Sequence, residues 1–264
     1  MARPVSRARF DELVAAEFGA QPLGVVKMLT EDDLGPLPVP VQRYVRASGA
    51  VGRPRPQNVR IEFDAVMRRK PGDAGMAATS VQYNFLGRPA RLFFMRARMF
   101  GLPVGALHVY RLEQATFTVR VASLVNMVDQ DGDEISRAET VTVLNDLCAF
   151  APGALVDPRL SWQALDDRSA AVTFTNGPRR VSAELVFDER YDLVDFRSDD
   201  RPDSSSGRFT PMRWSTPLSD HREMGGLRLP TRGSTVYARP DGPFTYGEFI
   251  LRSIAFDLPE PMRG

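Results

Sequence analysis

RFTPMRWSTPLSDHREMGGLRLPTRGSTVYAR, residues 208–239, reads as two long antiparallel strands and fixes the kind of fold that can hold them. The first arm carries Phe209, Trp214, Leu218 and Met224; the second carries Leu227, Leu229, Val236 and Tyr237. Between them stand Gly225 and Gly226, a pair that takes the positive φ angles of a tight hairpin turn without steric cost. Pro217 and Pro230 cannot donate to a ladder, so they are expected at edges or bulges. Arms on the order of 30 Å long do not stand alone in water, and they require a broad sheet around them.

The remaining sequence supplies that sheet. From Val59 the apolar period is two, with Val59, Ile61, Phe63, Ala65 and Met67 set against Arg60, Glu62, Asp64 and Arg68. The same pattern predicts strands over 80–86, 91–100, 106–112 and 116–125. It resumes over 160–165, 170–175, 180–187, 193–197 and 243–256. Turn signals such as Gly87-Arg88-Pro89, Gly101-Leu102-Pro103 and Asn176-Gly177 separate them, and no helix lies between neighbours, so the pairing is antiparallel. One helix interrupts the series near 134–150, after a DQDGD turn. Val141, Leu144 and Cys148, joined by Val143, Leu147 and Phe150, give it a wide apolar stripe suited to lying across the concave face of the sheet. Residues 1–55 carry two shorter helical patterns, with Phe10, Leu13, Val14 and Phe18 in one and Val41, Tyr44 and Val45 in the other; they read as a helical cover.

The expected architecture is therefore mainly β (α+β): one domain over 1–264, with a strongly curved antiparallel sheet across 56–258. That sheet is a half-barrel of about 11–12 strands with a few covering helices, because a sheet so wide curls rather than staying flat.

Composition narrows the function classes. The formal net charge of +1 gives no whole-chain attraction to nucleic acid or an anionic membrane, and no partner of either kind is expected. Only Lys27 and Lys70 among the 34 basic residues are lysines, which reads as compositional bias rather than phosphate recognition. A single Cys148 rules out an intramolecular disulfide. The N-terminal stretch lacks the apolar core of a signal peptide, and no run has the length of a membrane span, so the expected location is the cytoplasm. The sequence does not determine the oligomeric state.

The segments TVTVLNDLCAFAPGALVDPRLSW (140–162), LVDFRSDDRP (193–202), RWSTPLSDHREMGGLRLP (213–230) and PDGPFTYGEFILRSIAFD (240–257) resemble a bacterial family of uncharacterised proteins. The resemblance extends back through LPVPVQRYVRASGAVGRPRPQNVRI (37–61). The strand-rich pattern is also similar to lipoprotein-carrier half-barrels, which implies a curved sheet, capped by helices, that holds acyl chains.

The chemical motifs are sparse. Asp129, Asp131 and Asp133 are spaced like calcium ligands, but Glu134 and Thr140 occupy the positions where the loop needs glycine and a bidentate glutamate. Two histidines and one cysteine are too few for a zinc site, and no glycine-rich phosphate loop occurs, so no cofactor or metal is expected. Ser219 and His221 could share a strand face, the basis of an alternative hydrolase-like reading. Asp220 would point away from that face, and no nucleophile elbow is present. The leading expectation is a non-enzymatic module that binds a hydrophobic or lipid-like small molecule; a structural interaction module is a further alternative. Phe63, Met67, Phe85, Met95, Met99, Met127 and Trp214 are the candidates for the pocket wall, because methionine adapts to irregular apolar shapes. Asp199, Asp200, Arg201 and His221 are the candidates for a polar rim that grips a head group.

Overall fold

A computed structural model describes residues 3–122, 125–204 and 208–262. A meander leads outward from β1 (Asn58–Met67) through β2 (Met76–Phe85), β3 (Ala90–Met99), β4 (Leu102–Arg111) and β5 (Gln114–Val121) to the edge strand β6 (Val125–Gln130). Helix α3 (Asp133–Phe150) then carries the chain to the opposite edge. From there β7 (Leu160–Asp166), β8 (Ser169–Asn176), β9 (Arg179–Phe187), β10 (Leu193–Ser198), β11 (Trp214–Ser215), β13 (Leu227–Arg239) and β14 (Gly242–Phe256) return inward, until β14 pairs with β1. A further strand, β12 (Leu218–Met224), pairs with β13 off this path, and every pairing is antiparallel. The architecture is the expected one, with fourteen strands among the described residues.

The helix explains why the sheet is curved. Thirteen strands laid flat would span about 60 Å, whereas the 18 residues of α3 reach about 27 Å. The sheet therefore curls around the helix until both halves meet it. At one end the two halves touch. Asn176 Nδ2 on β8 donates to the Tyr110 hydroxyl on β4 at 2.8 Å, and Arg179 on β9 donates to the Glu113 carbonyl in the β4–β5 turn at 2.6 Å. Register shifts at Glu62/Phe63, Val119/Arg120 and Thr235/Val236 mark the bulges that let long strands bend.

Two expectations need correction. The first arm of the 208–239 hairpin is not continuous. It breaks at Pro217 into β11, which bridges β10 to β13, and β12, which pairs with β13 alone. A second irregularity falls at Asp220 (φ 56), which lies between the pairs Ser219↔Arg232 and His221↔Pro230 without changing the register. The turn itself is as expected, with Gly225 and Gly226 at φ 59 and 81. The predicted strand over 116–125 ends at Val121 as β5, and a further, unexpected strand, β6, begins at Val125. Asp129 and Gln130, read as part of a turn, belong to β6, where Arg3 pairs with Asp129 and Asp131.

The helical cover divides between two places. Helix α1 (Arg7–Ala20) lies on the convex face, with Phe10, Val14 and Phe18 packed on Val81, Tyr83, Phe85, Leu92 and Phe94. Helix α2 (Val39–Ala47) packs against β7, β8 and the end of α3, where Tyr44 lies 5.3 Å from the Phe187 ring and donates to the Cys148 carbonyl at 2.8 Å. No helix among the described residues is long and apolar enough to cross a membrane.

Candidate functional site: a cavity floored by charge

Register places the concave-face side chains of β1–β4 in rows. Val59, Asn84, Arg91 and Tyr110 form the row nearest the touching end; Ile61, Gln82, Phe93 and His108 form the next. Phe63, Ser80, Met95 and Ala106 follow, and then Ala65, Ala78, Ala97 and Val104. Alanines in the outer rows leave unfilled space between the strands. The result is a cavity of about 260 Å³ that opens past Leu218, Gly233 and Phe249 into a wider groove.

The floor is α3. Glu139, Thr142, Asn145 and Asp146, spaced three to four residues apart, share one helical face and line the cavity. Asp146 Oδ2 accepts from Arg91 Nε at 2.7 Å and from Gln82 Nε2 at 3.0 Å. Arg91 also donates to Glu139 Oε2 at 3.3 Å and to Gln82 Oε1 at 3.1 Å. Arg201 reaches in from the other half of the sheet, donating to Thr142 Oγ1 at 3.1 Å and to the Tyr237 hydroxyl, with its guanidinium 4.7 Å above the Trp214 ring and 3.8 Å from Glu139 Oε1. His108 stacks on Phe117 and sets Nδ1 3.3 Å from Glu139 Oε1. Neither Nδ1 nor Oε1 has a hydrogen-bond partner. Among the described residues, no three potential metal ligands converge.

Burial by itself would raise the Glu139 carboxyl, but the opposing pull of His108, Arg91 and Arg201 holds it at about 2. Burial pushes the His108 imidazole below its usual value, with Glu139 opposing and the two arginines reinforcing. The imidazole is therefore neutral near pH 7, and the guanidiniums are what keep Glu139 ionised. Both shifts weaken the fold in acid, because in each case the unfolded chain binds the proton first. The contribution of His108 is complete above 6.5 and declines as pH falls below that value; that of Glu139 declines as pH falls from 4.5 towards about 2. Urea midpoints should therefore drop between about pH 7.5 and pH 3.5, and Glu139→Gln should flatten the lower part of that fall. A midpoint constant over the whole range would disprove these assignments.

The sequence-predicted residues divide clearly. Phe63, Met67, Met95 and Trp214 line the cavity together. Phe85 does not: it points to the convex face beneath Phe18 of α1, because its position in β2 has the opposite parity to Gln82. Met99 is half-buried at the end of β3 and Met127 is 44% exposed on β6, and neither reaches the cavity. Of the polar set only Arg201 faces the cavity, and it sits at the floor rather than at a rim. Asp199 pairs with Arg213; Asp200 pairs with Arg137 and accepts from the Ser182 amide. His221 bonds the Leu193 carbonyl at 3.1 Å, Asp220 pairs with Arg222, and Ser219 is exposed, so the hydrolase-like trio does not assemble. The sequence reading missed Gln82, Arg91, His108, Glu139 and Asp146 as parts of the site. The available signal was the polar spacing 139, 142, 146 on a helix assigned to the concave face.

An open antiparallel half-barrel with a helix-floored cavity is the class that fold and site define. The chain belongs to a family of unknown function (DUF6544), whose model matches residues 27–249. No curated protein matches it. Among solved structures it is similar to a LolA superfamily protein from Nitrosomonas europaea, at 11% identity and a TM-score of 0.48, covering 82% of this chain and 93% of that one. It is also similar to a DUF1329 family protein from Desulfovibrio piger, at 12% identity and TM-score 0.45, covering 84% and 94%. A domain described as an outer membrane lipoprotein-sorting protein, from Vibrio parahaemolyticus, matches at 7% identity and TM-score 0.44, covering 95% and 93%.

Proposed function

We propose that the protein binds an elongated apolar molecule, lipid-like in character, in the concave cavity. The observation that carries this reading is the wall of Phe63, Met67, Met95, Val119 and Phe249 around unfilled space that opens to the outside. Unfilled apolar space forfeits dispersion contacts on its lining, so an occupant that restores them stabilises the folded chain. Methionines let the wall follow chains of differing shape.

Binding to the folded state alone raises stability by RT ln(1 + [L]/Kd), about 2.7 kcal/mol at a hundredfold excess over Kd. A panel of medium- and long-chain amphiphiles should therefore raise the melting temperature. Met95→Trp, which fills the cavity, should remove that rise while leaving the circular dichroism spectrum unchanged. Native mass spectrometry of the purified protein should show a co-purifying apolar species. A panel that leaves the melting curve unmoved would overturn the proposal.

A further inference from the structure

We infer that the cavity takes its occupant polar end first, and that this end is a neutral hydrogen-bond donor, a hydroxyl, held on Glu139; the inference rests on the ligand-binding reading above. Along β2–β4 polarity falls from the floor towards the mouth. Arg91 lies in the deepest row, Gln82 and His108 in the next, Ser80 and Met95 above them, and Ala78 and Ala97 nearest the mouth. An amphiphile entering tail first would set methylenes against the guanidinium and carboxylate groups of the floor. Entering head first, it matches each row in turn.

Glu139 selects the head group. Its side chain is 1% exposed, yet Oε1 accepts no hydrogen bond, with Arg201 3.8 Å and His108 Nδ1 3.3 Å away, and a buried carboxylate oxygen without a hydrogen bond is costly. His108 Nδ1 likewise makes no hydrogen bond. One hydroxyl serves both atoms, donating to Oε1 and accepting from the Nδ1–H tautomer of the neutral imidazole. Charge excludes the obvious competitors. Glu139 and Asp146 are already balanced by Arg91 and Arg201. A carboxylate or ammonium head would add a buried charge with no counter-ion, which costs far more than burying a hydroxyl. The ligand class is thus a single-chain alcohol or a neutral ester of similar shape with a free terminal hydroxyl.

Isothermal titration calorimetry near pH 8 with 1-decanol, decyl methyl ether and decanoate tests this. The alcohol should bind about tenfold or more tighter than either of the others, the ratio expected from one hydrogen bond to a charged acceptor. Glu139→Gln gives the floor a net positive charge, so it should reverse the order and favour decanoate over decanol. If none of the three binds, the cavity reading itself falls. If the ether binds as well as the alcohol, that reading stands and the head-group assignment falls, with water alone at Glu139. Decanoate as the best ligand of the unmodified protein would overturn the assignment too. The three-ligand comparison on the unmodified chain decides the matter even if Glu139→Gln does not fold.

Discussion

Arg91→Leu should destabilise the protein by about 3–5 kcal/mol, the loss typical of removing one partner from a buried ion pair. Arg91 is 9% exposed and its guanidinium serves Asp146, Glu139 and Gln82 at once while lying 4.8 Å from the Phe93 ring centroid. Leucine fills part of the volume but leaves two carboxylates with one remaining cation. The size of the loss should depend on pH. Without Arg91 the Glu139 carboxyl of the variant takes up a proton more readily, so the difference from the unmodified protein should narrow as pH falls into the acid range. Arg91→Lys keeps the charge but not the planar fork, and should fall between the two. Urea unfolding of all three proteins at two pH values measures it. A loss below about 1 kcal/mol for Arg91→Leu would mean that the floor does not depend on its charge balance.

Trp214→Ala should cost about 3–5 kcal/mol, as truncations of large buried aromatics do. Trp214 is 1% exposed and donates from Nε1 to the Tyr246 hydroxyl at 3.0 Å, tying β11 to β14. Its ring packs edge-on to Phe196 of β10 and lies under Arg201. The substitution removes the seam between these strands and frees Arg201 from the floor. Denaturant melts read the stability. A loss under about 1 kcal/mol would place Trp214 outside the load of the core, as a wall residue only.

The fold was readable from the sequence because half-buried strands declare themselves by parity. Ile61, Phe63 and Ala65 alternate with charged neighbours, and Gly225-Gly226 names its own turn. Parity gives two faces without saying which is concave, and for that reason Phe85 could be mistaken for a wall residue. In β2 and β3 both faces are buried, one against α1 and one towards the cavity, and the cavity face mixes Gln82, Asn84 and Arg91 with Phe93 and Met95, so the pattern blurs there. The charged floor was harder still. Arg91, Glu139 and Arg201 meet across separations of 48 and 62 positions, and nothing local in the chain records that meeting. In RSDDRP adjacency grouped Asp199, Asp200 and Arg201 into one polar rim. The structure gives Asp199 and Asp200 other arginines and turns Arg201 inward over Trp214.

The pairing of β14 with β1 sets a timetable for synthesis. Val59 waits for Phe256, almost two hundred positions later in the chain. At about 5–20 residues per second, the central seam of the sheet stays open for roughly 10–40 s after its first strand is made. During that interval β1 presents an unpaired edge, and such edges recruit other chains. Helix α3 is translated midway through the wait and can already settle on the β1–β5 half, whose strands are all in place before it. The nascent β1–β5 half thus has a local nucleus, while its most exposed edge depends on a strand made much later, β14. Chains halted before about residue 242, where β14 begins, should aggregate rather than accumulate in soluble form, and slowing translation should lengthen the hazard instead of relieving it.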